Sequence, residues 1–261
     1  MDFEKLVKFR RSSRWLFIDK EIPNSDIKKI LDAARFAPTP HNSQPFEIIV
    51  IKDKDVIKDI SEVGFRLDKK GVEGHFYWTR FTSEEHQSKK DGVQIEVLPK
   101  FVLDLKDDPK LIDDDYYWKK AMKLYSFLIQ NCSHLLFVLY NKKMPGVGPL
   151  HHLWGIISIG AVIQNLWLAA NNLGISVHLV SGQLMNPDSV KQLSKILSIP
   201  SGYKIMSILR LGYESGSFGK YGTRIRKELS DFVHLNKFSN KFRLFIVTFA
   251  RQKYINDYVS G

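Results

Sequence analysis

A single cysteine, Cys132, stands among 261 residues. One thiol excludes an intramolecular disulfide and any cysteine-based structural zinc cluster. Embedded in NCSHLLFVLY, it reads as a small buried hydrophobe rather than a nucleophile. Long hydrophobic runs are also missing. The longest apolar stretch, 153–163, is broken by Ser158 and flanked by His151, His152 and Gln164, short of the ~18 residues that span a bilayer. The opening MDFEKLVKFRRSSR is charged and has no apolar segment of the kind a secretory signal needs. A cytoplasmic chain without a membrane span is therefore expected. Internal repeats and low-complexity tracts are absent as well.

What the chain does contain is enough apolar material, 44% of residues, to build the core of one globular unit. Lysine and arginine total 39 against 28 acidic residues, a formal charge of +11 that favours anionic partners: phosphates, nucleic acid or membrane headgroups. Nucleic-acid binding normally adds a groove-entering helix or stacking aromatics among basic residues. Neither an RNP-like strand nor a zinc finger is present, which weighs against that partner.

Helical spacing of Phe3, Leu6 and Val7, and of Ile27, Ile30, Leu31 and Ala34 after the capping candidates Asn24 and Ser25, predicts two short opening helices. Pro38 should stop the second near Ala37, and Pro40 and Pro45 keep PTPHNSQP irregular before a buried strand, FEIIVI, at 46–51. From 64 to about 120 the periodicity degrades, as expected of an insertion over a site. A helix at about 118–131, the strand HLLFVLY, a long apolar helix at about 151–173, a strand at 175–180, a helix opened by Pro187 and a strand at 203–213 follow. The closing FSNKFRLFIVTFARQKYINDYVSG fits a strand, a helix or a partner-contacting arm.

Arg10, Arg11, Ser12 and Arg14 crowd three guanidinium groups and a hydroxyl into five residues at a helix end, donors suited to a phosphate dianion. Alone, such a cluster is more often a solvated basic turn. A second cluster changes the balance: Arg224 and Arg226 alternate in TRIRKEL, so an extended chain points both to one side. Between them, Thr39, Asn42, Ser43 and Gln44 present hydrogen-bonding groups on a proline-stiffened loop that suits a polar-edged heteroaromatic ring.

Other patterns carry less. PGVGPLH lacks the third glycine of a dinucleotide fingerprint and is interrupted by Pro149. His151 and His152 are adjacent, point to different sides of a helix and suit capping or interface packing better than a metal. Asp113, Asp114 and Asp115 lack the spacing of a calcium loop. Phe76, Trp78 and Phe81 suit a substrate lid or plain core about equally.

RRSSR at 10–14, APTPHNSQPF at 37–46, GAVIQNLWLAANNLGI at 160–175, VSG at 180–182 and the Arg224/Arg226 pair, in this order, resemble the FMN-dependent nitroreductase superfamily. The resemblance spans about 1–63 and 120–237, while 64–120 matches nothing assignable. It implies an α+β fold with a mostly antiparallel central sheet surrounded by helices, in an intertwined homodimer. It further implies one FMN-binding domain over 1–237 with a lid at about 64–120, a strand near 231–237 crossing to the partner, and a C-terminal extension at 238–261.

By the same resemblance Arg10, Arg11 and Ser12 hold the FMN phosphate together with Arg224 and Arg226, and Arg14 reaches the ribityl chain or the pyrimidine edge. Pro38, Thr39, Pro40, Asn42 and Gln44, from the partner subunit, border the ring. Leu179, Val180, Ser181 and Gly182 lie beside it, offering backbone N–H groups to N5 and O4. Thr39 and Pro40 replace the family's usual serines, Phe46 its tryptophan, and Ser181 a frequent acidic residue. Arg66, Lys69 and Lys70 are weaker candidates for a second cation at the ring. The implied activity is ping-pong transfer of electron pairs from NADH or NADPH through FMN to a small acceptor such as a nitroaromatic or quinone, with no indispensable acid or base side chain. Alternatives are a specialised relative (a reductive dehalogenase, azoline oxidase or flavin-fragmenting enzyme) and, in another class, a basic nucleic-acid or membrane-surface binder.

Overall fold

The computed structural model describes residues 2–14, 16–75, 100–144, 148–214 and 226–241. The chain divides into two compact units, 1–75 with 99–221 and 76–98 with 222–261. The first holds the sheet. Its central strand, β5 (Tyr203–Glu214), pairs antiparallel with β1 (Phe17–Ile18), β3 (His134–Asn141) and β4 (Ser176–Val180), while β2 (Phe46–Ile51) pairs antiparallel with β3. Every strand pairing among the described residues is antiparallel, as an α+β sheet of this kind requires.

β3 is buried along its whole length, which explains its unbroken apolar run. Its alternate residues feed two cores. Leu136, Val138 and Tyr140 pack with Ile30 and Ala34 of α2 (Asn24–Ala34) and with Ile159, Val162 and Leu166 of a long helix, His151–Asn172. Leu135, Phe137 and Leu139 pack with Ile57 and Ile60 of α3 (Lys54–Glu62), with Ile129 of the helix Asp115–Gln130 and with Leu193 of the helix Pro187–Ile196. The sheet is thus covered by helices on both faces.

Between α3 and Asp115 the chain forms α4 (Lys69–His75), α5 (Lys100–Asp107) and a 3-10 turn, Pro109–Asp113, before α6 (Asp115–Gln130). The long helix is α7 and Pro187–Ile196 is α8; α1 is Phe3–Phe9. Asp53 and Asn186 cap α3 and α8 through their side chains, each accepting two backbone N–H bonds.

Several expectations need correction. α2 ends at Ala34, three residues before the residue preceding Pro38, and neither Asn24 nor Ser25 is its cap, since the helix starts behind Pro23. The α7 helix is longer than its contiguous apolar run. By length and composition it could cross a membrane, with a mean hydropathy of 1.6, because its Ser, Gln and Asn are too few to lower the average. Here it lies in the fold, burying Gly155, Ser158, Ile159, Val162, Leu166, Trp167 and Ala170. Gly155 is required for that: a Cβ there would stand 2.5 Å from the Tyr140 ring.

The second unit is described over 226–241. In place of a strand near 231–237 it has the short helix α9 (Leu229–Phe232), closed by a reciprocal Glu228/Asp231 capping box, then a bridge between His234 and Lys241. Positive φ at Asn236 and Ser239 turns the chain back on itself there.

Candidate functional site

The basic segment 10–14 is laid along β4. Ser12 forms a parallel bridge with Val177, and the Ser13 N–H donates to the Val177 carbonyl at 2.9 Å. From the other side α7 fixes it. The Trp167 indole N–H donates to the Arg11 carbonyl at 3.1 Å, and the Arg10 guanidinium lies 5.0 Å over the Trp167 ring. Arg10, Arg11 and Ser12 are half-buried and Arg14 is exposed. Desolvation nevertheless pulls the Arg14 guanidinium below its usual range.

β4 leads directly to Ser181 and to a 3-10 turn, Gly182–Met185. Leu179 is exposed, Val180 buried, and Ser181 and Gly182 half-buried. The structure therefore brings two of the predicted blocks, 10–14 and 179–182, to one corner of the sheet. Two shallow surface grooves lie elsewhere, one along α2 beside Val50 and one among α1, α2 and α7.

Residues from the expected insertion close over this corner. A Cβ on Gly182 would stand 2.3 Å from the Phe65 ring, so on that side the close approach the glycine permits is made by Phe65. Phe65 in turn meets the Tyr125 ring edge-on, with centroids 4.9 Å apart. The Gln183 side chain donates to the Ile60 and Val63 carbonyls at 2.6 and 2.7 Å, and Ser189 donates to the Gly64 carbonyl at 2.7 Å. The Gln183 Oε1 and the Tyr125 hydroxyl are buried without a hydrogen-bond partner. The phenol faces the backbone N–H groups of Gly182 and Gln183, and burial raises its pKa far above the usual range.

The loop at 38–45 stands apart from that corner. Thr39 precedes a 3-10 turn, Pro40–Asn42, and its hydroxyl accepts from the Gln44 N–H at 3.1 Å. His41, Asn42 and Gln44 all adopt positive φ, a left-handed backbone that costs strain in residues other than glycine. Pro38, Asn42 and Gln44 are exposed, while Thr39 and Pro40 are half-buried. The loop enters β2, which pairs with β3, whereas the basic segment lies on β4. β3 and β5 intervene, and three strand spacings amount to roughly 14 Å.

Arg224 lies outside the described residues, as do Phe76, Trp78 and Phe81. Arg226 stands exposed in the second unit, two residues before the Glu228 cap. Arg66 is engaged elsewhere: it donates to the Ile112 carbonyl and pairs with Asp115 at 2.6 Å. Lys69 and Lys70 are exposed on α4. Asp114 caps α6, His151 binds the Gly148 carbonyl and His152 binds the Tyr140 hydroxyl at 2.9 Å. The Cys132 thiol is buried, and burial pushes it up to about 11.

The nitroreductase family model matches residues 7–213, which includes the first block, the loop and the β4 block. The chain belongs to the nitroreductase family. This is a family of oxidoreductases. Among curated relatives, a protein of Archaeoglobus fulgidus provisionally described as an NADH dehydrogenase/NAD(P)H nitroreductase is 27% identical over 210 residues, 80% of this chain and 83% of its own. A 4-nitrobenzoate reductase of Nocardioides sp. is 23% identical, over 81% of this chain and 80% of its own. Among solved structures, a BluB-like flavoprotein from Clostridium difficile 630 superposes with a TM-score of 0.60 at 18% identity, covering 91% of this chain and all of that one. An FMN-dependent nitroreductase from Clostridium difficile R20291 gives 0.57 at 18% identity, covering 90% and all. The nitroreductase fold, with its antiparallel sheet and flanking helices, is that of this chain.

Within the nitroreductase frame, sequence reasoning missed Trp167, Phe65, Tyr125, Gln183, His178 and Arg210. Trp167 sits in an apolar helical run that offers no mark of its own. Arg210 did carry a signal: it is a cation between Leu209 and Leu211 in the apolar middle of its strand.

Proposed function

We propose that this nitroreductase-family chain binds FMN and passes electron pairs from NADH or NADPH to a small electrophilic acceptor, a nitroaromatic, quinone or similar compound. The observation that supports the reading is the laying of the 10–14 segment along β4, where Ser12 bridges Val177 and Ser13 bonds its carbonyl, two residues before Leu179. The donor set fits a flavin nucleotide. Guanidinium groups and a hydroxyl serve a phosphate, and backbone N–H groups by Gly182 serve the polar edge of a ring. The buried, partnerless Oε1 of Gln183 next to that glycine leaves hydrogen-bonding capacity at the corner.

In this assignment Arg10, Arg11 and Ser12, with Arg224 and Arg226, hold the phosphate, and Arg14 lies toward the ring. FMN supplies the hydride chemistry. The chain's own residues bind and orient: Trp167 holds the Arg11 backbone, β4 holds Ser13, and Phe65 excludes water from one side of Gly182. The stretch 1–237 acts as one FMN-binding domain with 64–120 as its cover.

The reading includes a homodimer, which the separation of the loop from β4 supports. Pro38, Thr39, Pro40, Asn42 and Gln44 are three strand spacings from β4 in their own chain, and in this reading a second copy brings them to a ring at this corner. The exposed Leu153, Trp154, Ile156 and Ile157 on α7 supply an apolar face for that pairing.

The visible spectrum of the purified chain tests the reading. Flavin absorption, native or after adding FMN, bleached by anaerobic NADH or NADPH and restored by a nitroaromatic or quinone, is expected. Failure to bind added FMN sinks it, and flavin that reduces but returns electrons to generic quinones only in traces favours a specialised activity.

A further inference from the structure

Arg210 is fully buried in β5, and the antiparallel register sets it opposite His178 of β4. One guanidinium nitrogen lies 3.0 Å from His178 Nδ1 and another donates to the Asn131 carbonyl at 2.7 Å, while the group stands 4.7 Å over the Phe17 ring. A guanidinium has donors and no acceptor. His178 Nδ1 must therefore accept, and the proton of the neutral ring sits on Nε2. Burial, and after it the charges of Arg210 on β5 and Arg14 on the basic segment, push His178 down to about 3. Cys132 and Tyr125, which face Arg210 from the β3 and α6 sides, are kept protonated by burial. The imidazole thus stays neutral across the physiological range. Its Nε2 has no hydrogen-bond partner among the described residues and is not sealed from solvent, the ring being half-buried.

We propose that His178 is a cofactor-contacting residue whose Nε2–H donates to an oxygen of the flavin nucleotide beside Arg14, with Arg210 as the positioning residue that fixes the tautomer. This rests on the FMN reading. His178 is one residue from Leu179 and one from Val177, the residue that anchors Ser13, so it belongs to the corner by position. A locked neutral donor adds a hydrogen bond there without adding charge and without titrating. The accepting oxygen is on the phosphate or on the ribityl–ring portion, and the experiment separates them.

The full-length apoprotein is titrated with FMN and with riboflavin by quenching of flavin fluorescence. His178→Phe should weaken FMN binding about tenfold, the worth of a donor lost to a charged or buried acceptor, while the apoprotein melts within about 3 °C of the unmodified chain. His178→Gln, whose amide can accept from Arg210 and donate onward, should restore most of the affinity and serves where the phenylalanine variant folds poorly. A loss confined to FMN assigns the phosphate; a loss shared by riboflavin assigns the rest of the cofactor. Imidazole nitrogen NMR should show the Nε2–H tautomer from about pH 5 to 8, and Arg210→Met, which removes the donor to Nδ1, should let the Nδ1–H tautomer appear in that interval. FMN affinity within about twofold of the unmodified chain in both His178 variants, or an Nδ1–H tautomer, overturns the proposal. An unmodified chain that binds no FMN overturns the cofactor reading instead, leaving the tautomer result to stand separately.

Discussion

Trp167 donates its indole N–H to the Arg11 carbonyl at 3.1 Å while its ring lies 5.0 Å beneath the Arg10 guanidinium. One side chain of the core helix α7 thus sets both the backbone and one cation of the basic segment. Trp167→Phe keeps the aromatic face and removes the hydrogen bond, about 1 kcal/mol. FMN affinity is expected to fall about fivefold in a fluorescence titration, with near-native melting, and an unchanged affinity would mean the segment holds its shape without α7.

Arg10→Ala and Arg224→Ala should each weaken FMN retention by about ten- to a hundredfold, because a charge-assisted contact is worth roughly 1.5–3 kcal/mol. Thermal melting of the flavin-free chains should change little. Equal losses of stability without flavin would make these arginines structural. DNA or anionic-lipid binding unaffected by both substitutions would speak for the basic-surface alternative.

How much of this was legible beforehand differs by element. HLLFVLY announced β3 because a strand buried on both faces shows as an apolar run, FEIIVI announced β2 although only Ile51 in it is fully buried, and Pro187 announced α8 because its ring suits the first helical turn. α3 escaped notice: Val56, Ile57 and Ile60 are the only apolar residues in a nine-residue helix that is otherwise charged or, at Ser61, polar. β1 has two residues and no pattern, and Asn131 secures it by bonding both backbone groups of Phe17. The basic segment and the β4 block were each readable as chemistry, but their meeting depends on a bridge across 165 positions, from Ser12 to Val177, that no local signal encodes.

Gly182→Ala places a methyl group against Phe65 and should cost about 1–3 kcal/mol by overpacking. Phe65→Leu in the same chain should recover part of it. Urea denaturation of the four chains of this cycle measures the coupling, and simple additivity would show that Phe65 yields without cost.

Stability should be greatest between about pH 6.5 and 9, values set by His178 and Cys132. His178 drops from 6.5 to about 3 on folding, so the stability tied to its neutral form is whole above 6.5 and is lost as pH falls toward 3. Cys132 rises from 9.0 to about 11, so its contribution is whole below 9 and is lost as pH climbs through 11. Melting curves against pH should show a flatter acid limb in His178→Gln and a flatter alkaline limb in Cys132→Ala. Unmodified limbs in both variants would contradict the assignment.

Trp154→Glu with Ile157→Glu should convert the proposed dimer to monomer in sedimentation velocity while circular dichroism stays native, since both side chains are exposed on α7 of the single chain. FMN affinity should fall with the dimer, because the loop carrying Asn42 and Gln44 is then missing from each corner. A dimer that survives both charges would place the contact on another surface.

The segment that runs along β4 has a second consequence. β4 bonds β5 on one side, and Ser12 and Ser13 occupy backbone groups on the other that would otherwise be open to any extended peptide. The stretch that gathers the basic side chains is also the sheet's guard against intermolecular strand addition. A chain in which repulsion among unneutralised arginines loosens that stretch would therefore fail first by aggregating, before its helices melt.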